Sequence, residues 1–167
     1  KAALADAGWR LTTVLVTHHH TDHVQGIDAV KDGARVIGPR AEADRIGGLD
    51  ETLEDGQEVT IGPFRVRCIA TPGHTAGPLS YHFVDQGLAF TADTLFAMGC
   101  GRLFEGDAAT MWDSFKKLRA ALPDDTRIYF GHEYTLTNAR YAHQALPDDP
   151  AIAERLKVVE AAREKGE

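Results

Sequence analysis

The sequence predicts a sheet-rich α+β domain with helices outside the sheet, and two observations carry that prediction. Residues 1–46 alternate short helical and strand-like segments, whereas from residue 57 apolar and polar residues alternate with a period of two. A change from alternating helices and strands to hairpins is typical of a mixed sheet covered by helices. With 167 residues, 43% of them hydrophobic and 26% charged, the chain can form one substantial core.

The alternating region begins with residues 1–8, which end a helix at Gly8, and continues with a strand over 11–17. Because a helix here leads directly into a strand, we expect another strand before residue 1. The next predicted elements are a short helix near 27–31, a strand over 34–37 and a helical segment over 39–46 with Pro39 in its first turn.

The second region consists of hairpins followed by helices. Residues 58–61 and 64–69 are joined through Gly62-Pro63, and residues 79–84 and 88–91 form a second pair around a turn at 85–87. Residues 110–122 then form an amphipathic helix whose aromatic residues we expect in the core. A strand over 127–130 and a helical tail over 135–165, broken at Pro147 and Pro150, complete the chain.

A run of potential metal ligands follows the first strand. Residues 17–23 read Thr-His-His-His-Thr-Asp-His and form a loop at a strand end, where functional residues often lie. In a locally extended segment His18 and His20 project to one side and can bind one ion. A turn after them offers Asp22 and His23 to a second ion. An accidental cluster or a tag remnant is disfavoured, because the run is internal and contains an acid.

Three later loops each add one potential ligand just after a strand. These are His74, Asp93 and His132. Alone, each residue would more often be structural, but with the first loop they give five histidines and two aspartates, enough for two ions with open positions. We expect the remaining histidines to be structural, namely His19, His82 and His143.

The composition excludes several classes of partner. A net charge of -7 argues against a nucleic-acid or anionic-membrane surface. The sequence contains no membrane-span-length apolar run and no visible signal peptide. Two cysteines do not form a disulfide framework, so we expect a cytoplasmic protein, and we expect a monomer. The chain starts with lysine rather than methionine, so an N-terminal address could be missing.

Five segments together resemble a known family. They are residues 17–23, 73–75, 90–96, 99–106 and 131–135. The first is similar to the metallo-β-lactamase superfamily in general, whereas Gly-Cys-Gly-Arg at 99–102 and Gly-His-Glu-Tyr-Thr at 131–135 resemble its glyoxalase II branch, the hydroxyacylglutathione hydrolases. The resemblance covers essentially the whole chain. It implies an αββα sandwich and two divalent ions, zinc foremost, with iron or manganese as alternatives.

The resemblance also assigns roles to residues. It implies one ion on His18, His20 and His74, another on Asp22, His23 and His132, and Asp93 bridging them.

The implied reaction is hydrolysis of an S-lactoylglutathione-type thioester to glutathione and a 2-hydroxy acid, as in methylglyoxal detoxification. Metal coordination lowers the pKa of water to about 7, so a hydroxide bridging the ions is the expected nucleophile. Asp22 and Asp93 are the expected catalytic residues, and a small-molecule glutathione thioester is the expected partner. Arg102 and Tyr134 match glutathione-contacting positions, and Phe104 stands where some members have a tyrosine.

Three alternatives stay open. Another hydrolase of the superfamily would share the metal ligands, and a substrate panel distinguishes it. A mononuclear iron persulfide dioxygenase would not need Asp22 or His132 as ligands. A non-catalytic zinc module ranks last for the whole protein, though not for this chain as an isolated piece, because structural zinc sites are closed by four ligands, typically with cysteines.

The chain departs from the family pattern in what lies beyond its two ends. Family members begin with additional strands and finish with a longer helical region. We therefore expect a metallo-β-lactamase-like domain over 1–133 that lacks its first strands, and an incomplete helical substrate-binding region over 134–167.

Overall fold

Two β-sheets face each other in the computed structural model, which describes residues 1–166. The strands are β1 (Thr13–Leu15), β2 (Arg35–Pro39), β3 (Glu51–Leu53), β4 (Glu58–Ile61), β5 (Phe64–Ala70), β6 (Leu79–Phe83), β7 (Leu88–Ala92), β8 (Leu95–Phe96), β9 (Gly99–Cys100) and β10 (Arg127–Phe130). The α-helices are α1 (Ala2–Asp6), α2 (Thr21–Val24), α3 (Ile27–Val30), α4 (Ala43–Ile46), α5 (Ala108–Ala121), α6 (Thr135–Ala145) and α7 (Pro150–Glu164).

The first sheet is parallel, with the order β1-β2-β3. β1 and β2 come from the alternating region, as predicted, although their bounds differ, whereas β3 follows that region and was not predicted. Pro39 ends β2 and precedes a 3₁₀ turn over Arg40–Glu42, so its predicted place in a first helical turn is wrong. A proline also fits the end of a strand, because it lacks only the N–H donor.

The second sheet has the order β10-β7-β6-β5-β4. Both predicted hairpins are confirmed: β4 pairs antiparallel with β5 up to Ile61 and Phe64, and β6 pairs antiparallel with β7 up to Phe83 and Leu88. β5 is also antiparallel to β6, and β10 is parallel to β7. Strands β5, β7 and β10 therefore run in the same direction and end at the same edge of the sheet.

The core lies between the two sheets, which confirms the predicted sandwich. Tyr81 of β6 is 1% exposed, and its hydroxyl donates a hydrogen bond of 2.6 Å to the carbonyl oxygen of Val16, just after β1. This buried bond joins the two sheets near the start of the histidine loop. The buried side chains of the core include Ile37, Leu53, Val66, Cys68, Leu79 and Tyr81.

Helix α5 lies against β5. The Ser114 hydroxyl donates to the carbonyl oxygen of Pro72 at 2.7 Å, and Met111 and Leu118 are buried on the same face. Trp112 is 61% exposed, so the expectation that the aromatic residues of this helix lie in the core is wrong for it. One residue from Met111 corresponds to about 100° around a helix, which turns Trp112 away from the buried stripe.

The helical tail is interrupted between α6 and α7, as predicted around Pro147. Pro150 begins α7 instead of breaking it, because the first helical turn needs no N–H donor from that residue. The division at residues 133 and 134 stays a prediction, and Glu167 lies outside the described residues. Across residues 1–166, no helix is both long enough and apolar enough to cross a membrane.

Candidate metal centre

The seven predicted ligands follow the C-terminal ends of four strands. β1 leads into the histidine loop, and β5, β7 and β10 lead into the loops that carry His74, Asp93 and His132. The common direction of the last three strands brings their loops to one edge of the second sheet. Leu79 N donates to Thr17 O at 3.0 Å and brings the histidine loop to the same edge.

The first cluster consists of His18, His20 and His74, whose nearest donor atoms lie within 4.8 Å of one another. His74 Nδ1 lies 2.8 Å from the carbonyl oxygen of Arg102. Because a carbonyl only accepts, Nδ1 carries the proton and leaves Nε2 of the neutral ring as a lone-pair donor. This Nε2 is 2.9 Å from His20 Nδ1, so the two side chains converge on one point.

The second cluster consists of Asp22, His23 and His132. The single turn of α2 carries the first two residues, as the predicted turn after His20 requires. Asp22 Oδ2 lies 3.2 Å from His132 Nε2 and 3.5 Å from His23 Nε2. The Asp22 side chain is 55% exposed, so this cluster opens to solvent.

Asp93 stands between the clusters. Its Oδ2 is 3.3 Å from Nε2 of both His74 and His132, and its Oδ1 is 3.4 Å from His23 Nε2. The preceding residue, Ala92, has a φ of 43°, a left-handed conformation that is uncommon for a residue with a side chain. This conformation at the end of β7 directs the Asp93 carboxylate toward both clusters.

Two glycines leave room for Asp93, and sequence reasoning assigned them no separate part in the site. A Cβ on Gly131 would lie 2.2 Å from Asp93 Oδ1, and a Cβ on Gly101 would lie 2.1 Å from the Asp93 carbonyl oxygen. Neither position can hold a side chain without displacing Asp93. Their direct adjacency to His132 and Arg102 was the available signal.

Burial and neighbouring charges set the protonation of the cluster. Burial, and then the nearby His23, lower the pKa of His18 to about 3, so its imidazole is neutral at physiological pH. The polar contact with Asp93 raises the pKa of His23. Burial tends to raise the pKa of Asp93, but its contacts with His23, together with the His132 and His18 side chains, bring it below the usual value.

The donor set fits metal ions. Within residues 1–166, His18 Nε2, His23 Nε2 and Asp93 Oδ1 are buried without a hydrogen-bond partner. Buried polar atoms without partners are costly, and a metal ion would satisfy them. Neutral imidazoles with carboxylates form ligand sets for zinc, iron or manganese. The assignment of each side chain to an ion stays a prediction.

A cavity of about 460 Å³ lies beside the two clusters and is lined by His74, Asp93 and His132. The predicted substrate-contacting residues, Arg102, Phe104 and Tyr134, lie along the same cavity. The Tyr134 ring stacks on His132 with a centroid distance of 5.4 Å. The Phe104 ring meets His20 and His74 edge-on at 5.4 and 5.3 Å.

The histidines expected to be structural lie outside the two clusters. His19 is hydrogen-bonded to Glu42, as that expectation implies. His82 is buried in β6, and within residues 1–166 neither of its ring nitrogens has a hydrogen-bond partner.

Known proteins share this chain's sequence pattern and fold. The family described as the Metallo-beta-lactamase superfamily matches residues 1–132. Hydroxyacylglutathione hydrolase from Rhizobium etli is 54% identical over 161 residues, covering 95% of this chain and 62% of the relative. The protein of the same name from Brucella ovis is 52% identical with the same coverage. The chain thus spans less than two thirds of the length of these relatives.

Two crystal structures resemble the fold. The BLEG-1 B3 metallo-beta-lactamase matches with a TM-score of 0.72 and 27% identity, covering 78% of this chain and 74% of that chain. ETHE1 from Myxococcus xanthus matches with a TM-score of 0.70 and 34% identity, covering 80% of this chain and 59% of that chain. Both scores show the same sandwich.

Proposed function

The chain belongs to the metallo-beta-lactamase superfamily, and we propose that it is a metal-dependent hydrolase of glutathione thioesters, with S-lactoylglutathione-type 2-hydroxyacylglutathiones as substrates. The observation that carries this proposal is Asp93, whose carboxylate contacts histidines of both clusters beside a cavity. The names and 52–54% identity of the relatives support the substrate class.

We propose two divalent ions, zinc foremost, with one on His18, His20 and His74 and the other on Asp22, His23 and His132. Bound there, they would supply Lewis acidity and lower the pKa of water to about 7.

The chain's own residues shape this centre. Asp93 contacts histidines of both triads, and its negative charge, with that of Asp22, would offset part of the charge of the ions. His74 presents Nε2 because its Nδ1 is bound to the Arg102 carbonyl. The backbone at residue 102 thereby links the ligand set to the cavity wall.

Arg102 and Tyr134 are placed to orient an anionic, extended substrate. Both are exposed and line the cavity next to His74 and His132. A guanidinium there can bind a carboxylate in bidentate fashion, and the Tyr134 ring, held flat against His132, offers an apolar surface to the glutathione chain. Thiols have a pKa near 8.5, so the thiolate product leaves without prior protonation more readily than an amine.

We also propose action in the cytoplasm as part of methylglyoxal detoxification. Cys68 and Cys100 are free, which suits a reducing compartment.

The deciding experiment measures S-lactoylglutathione hydrolysis by the purified chain. The release of free thiol is monitored, and a chelator-treated sample is measured in parallel. We expect chelator-sensitive hydrolysis, with a β-lactam, a lactone and a phosphodiester turned over poorly. Preference for one of these three would identify another hydrolase of the superfamily. A folded protein that holds one iron and does not hydrolyse the thioester would support the persulfide dioxygenase alternative.

A matched pair of variants tests the substrate contact. We expect Arg102→Ala to raise KM for the thioester by about tenfold with little change in kcat, because it removes uniform binding. Arg119→Ala, on the exposed face of α5, is the control. Equal KM values for the two variants would remove Arg102 from the binding site.

A further inference from the structure

Glu42 is a buried acid to which the proposed reaction assigns no part. It ends the 3₁₀ turn that follows β2, and it is 3% exposed. The turn lies between the histidine loop and the loop that carries His74. A carboxylate is seldom buried unless all its acceptor positions are used, so its partners indicate its role.

Each oxygen of Glu42 binds a different loop. Oε2 accepts a 2.7 Å hydrogen bond from His19 N and lies 2.7 Å from His19 Nδ1. Oε1 accepts from Thr75 Oγ1 at 2.5 Å and from Gly77 N at 3.0 Å. His19 lies between two residues of the first cluster, and Thr75 directly follows the third.

The backbone of the two segments is also closely packed near Glu42. A Cβ on Gly77 would lie 2.4 Å from Ala41 Cβ, so the turn and the 74–77 loop are already in contact. The two loops that supply the first cluster therefore meet at Glu42, which neither of them contains. A shift of this one side chain would move the ligands on both loops relative to each other.

We propose that Glu42 is a positioning residue that clamps the histidine loop to the 74–77 loop and so sets the metal-binding geometry of His18, His20 and His74. The inference rests on the proposed two-ion function. It extends that function to a side chain that belongs to neither of the two ligand clusters. Partners that orient metal ligands typically contribute about 10–100-fold to metal affinity.

The chemistry of the clamp requires a carboxylate. Oε2 faces His19 N and Oε1 faces Gly77 N, and a backbone N–H can only donate. Glutamine has one acceptor oxygen and one donor NH₂ group. In either orientation its NH₂ would therefore face a backbone donor, so Glu42→Gln breaks one half of the clamp without a change in size.

A separate metal site on His19, Glu42 and Glu105 fits the structure less well, although their donor atoms are close together. Glu105 Oε2 accepts from Ala76 N at 2.8 Å, and its Oε1 pairs with Arg45. The Glu42 oxygens are occupied by backbone donors. Both acids already have hydrogen-bond or ion-pair partners, and a link between the two loops accounts for these partners.

Zinc affinity in the whole chain tests the clamp directly. Competition with a chromogenic chelator should show two zinc ions in the wild type and, for Glu42→Gln, an affinity about 10–100-fold weaker for one ion, with the other unchanged. We also expect a lower kcat at similar KM, because Arg102 and Tyr134 are untouched. The control is Asp50→Asn, since Asp50 also binds a backbone N–H, that of Val36 at 2.7 Å.

A second pair of variants covers the case in which Glu42→Gln does not fold. Thr75→Val removes one donor to Glu42 and should weaken one zinc ion severalfold, whereas Thr75→Ser keeps the donor and should restore the affinity. Two tightly bound zinc ions in both Glu42→Gln and Thr75→Val, with only thermal stability reduced, would overturn the clamp. Fewer than two zinc ions in the wild type would instead overturn the proposed function.

Discussion

The two ligand clusters differ in how firmly the protein holds them. In the first cluster His18 is buried, the side chain of His74 is 6% exposed and His20 is half-buried, and backbone or side-chain partners fix the rings of His18 and His74. In the second cluster the side chains of Asp22 and His132 are 55% and 31% exposed. The first cluster is therefore preorganised, whereas the second, which we call the open cluster, is accessible to solvent. Asp93 contacts histidines of both clusters, so its loss should affect both.

The largest effect is expected for Asp93→Ala, which removes the link between the clusters. We expect kcat/KM for S-lactoylglutathione to fall by at least about 10³-fold, the equivalent of several kcal/mol of transition-state stabilisation. Zinc content should fall below two ions per chain. The measurements are steady-state kinetics and elemental analysis of the same sample.

The control for Asp93→Ala is Asp28→Ala, because Asp28 is exposed and pairs with Lys31 three residues later. Its kinetics and zinc content should match the wild type. Two bound ions and near-normal turnover in Asp93→Ala would contradict the shared role of Asp93 and remove the basis of the comparison.

A smaller, more selective effect is expected for Gly131→Ala. The added methyl would lie 2.2 Å from Asp93 Oδ1 and 3.1 Å from His23 Cε1, so the second cluster is displaced before the first. We expect about 1–3 kcal/mol of lost stability and about 10–100-fold weaker binding of one zinc ion. Thermal unfolding and chelator competition measure the two quantities.

Gly26→Ala is the matched control, since a Cβ there meets nothing within 4 Å and its φ is -86°. This variant should keep both the stability and the zinc affinity of the wild type. Equal zinc affinity in Gly131→Ala and Gly26→Ala would show that Asp93 and His23 accommodate the added methyl group without any loss of zinc affinity.

The contrast in exposure also predicts the order of metal release. A chelator added stepwise should remove the ion of the open cluster first, at about tenfold lower chelator concentration, because its ligands have fewer fixed partners. Zinc content and activity should be measured at each step, and activity should disappear with the first ion. Release of both ions in one step would show that Asp93 couples the clusters into a single unit.

Much of the architecture could be predicted, because long periodic patterns determine it. The hairpins joined through Gly62-Pro63 and at residues 85–87 were predicted with their turns. Strands β3, β8 and β9 were not predicted, since two or three residues carry no measurable period. β3 also pairs with a strand distant in sequence, with Ile37 opposite Glu51, whereas β8 and β9 pair only with each other.

The ligand residues could be predicted from the sequence, but the residues that hold them in position could not. Histidine and aspartate residues just after strand ends indicate metal binding. The resemblance of their loops to a family indicates which of these residues share an ion. Glu42 lies 23 residues from His19 and 33 from Thr75, and nothing in their spacing links them. The strained φ of Ala92 has no sequence signal either, because alanine is common in every element.

The smallest effect concerns His82, a buried histidine outside the clusters. Burial, and then the charge of Arg67, lower the pKa of His82 below its usual value near 6.5. Above pH 6.5 its imidazole is neutral in both states. As the pH falls below 6.5, the unfolded chain binds the proton first, so stability is lost until the folded pKa is reached. One such group contributes a slope of at most about 1.4 kcal/mol per pH unit.

Chelator-treated wild type and His82→Leu, unfolded in urea between pH 7.5 and 5, test this prediction, because removing the metal leaves only protein titration. Leucine cannot titrate, so the free energy of unfolding of the variant should fall less steeply below pH 6.5. His18, whose pKa burial also lowers, remains in both proteins and cancels in the difference. If the free energies of unfolding of the two proteins fell in parallel with pH, water or an anion would have access to His82 in the folded state. Burial would then not be sufficient to lower the pKa of His82.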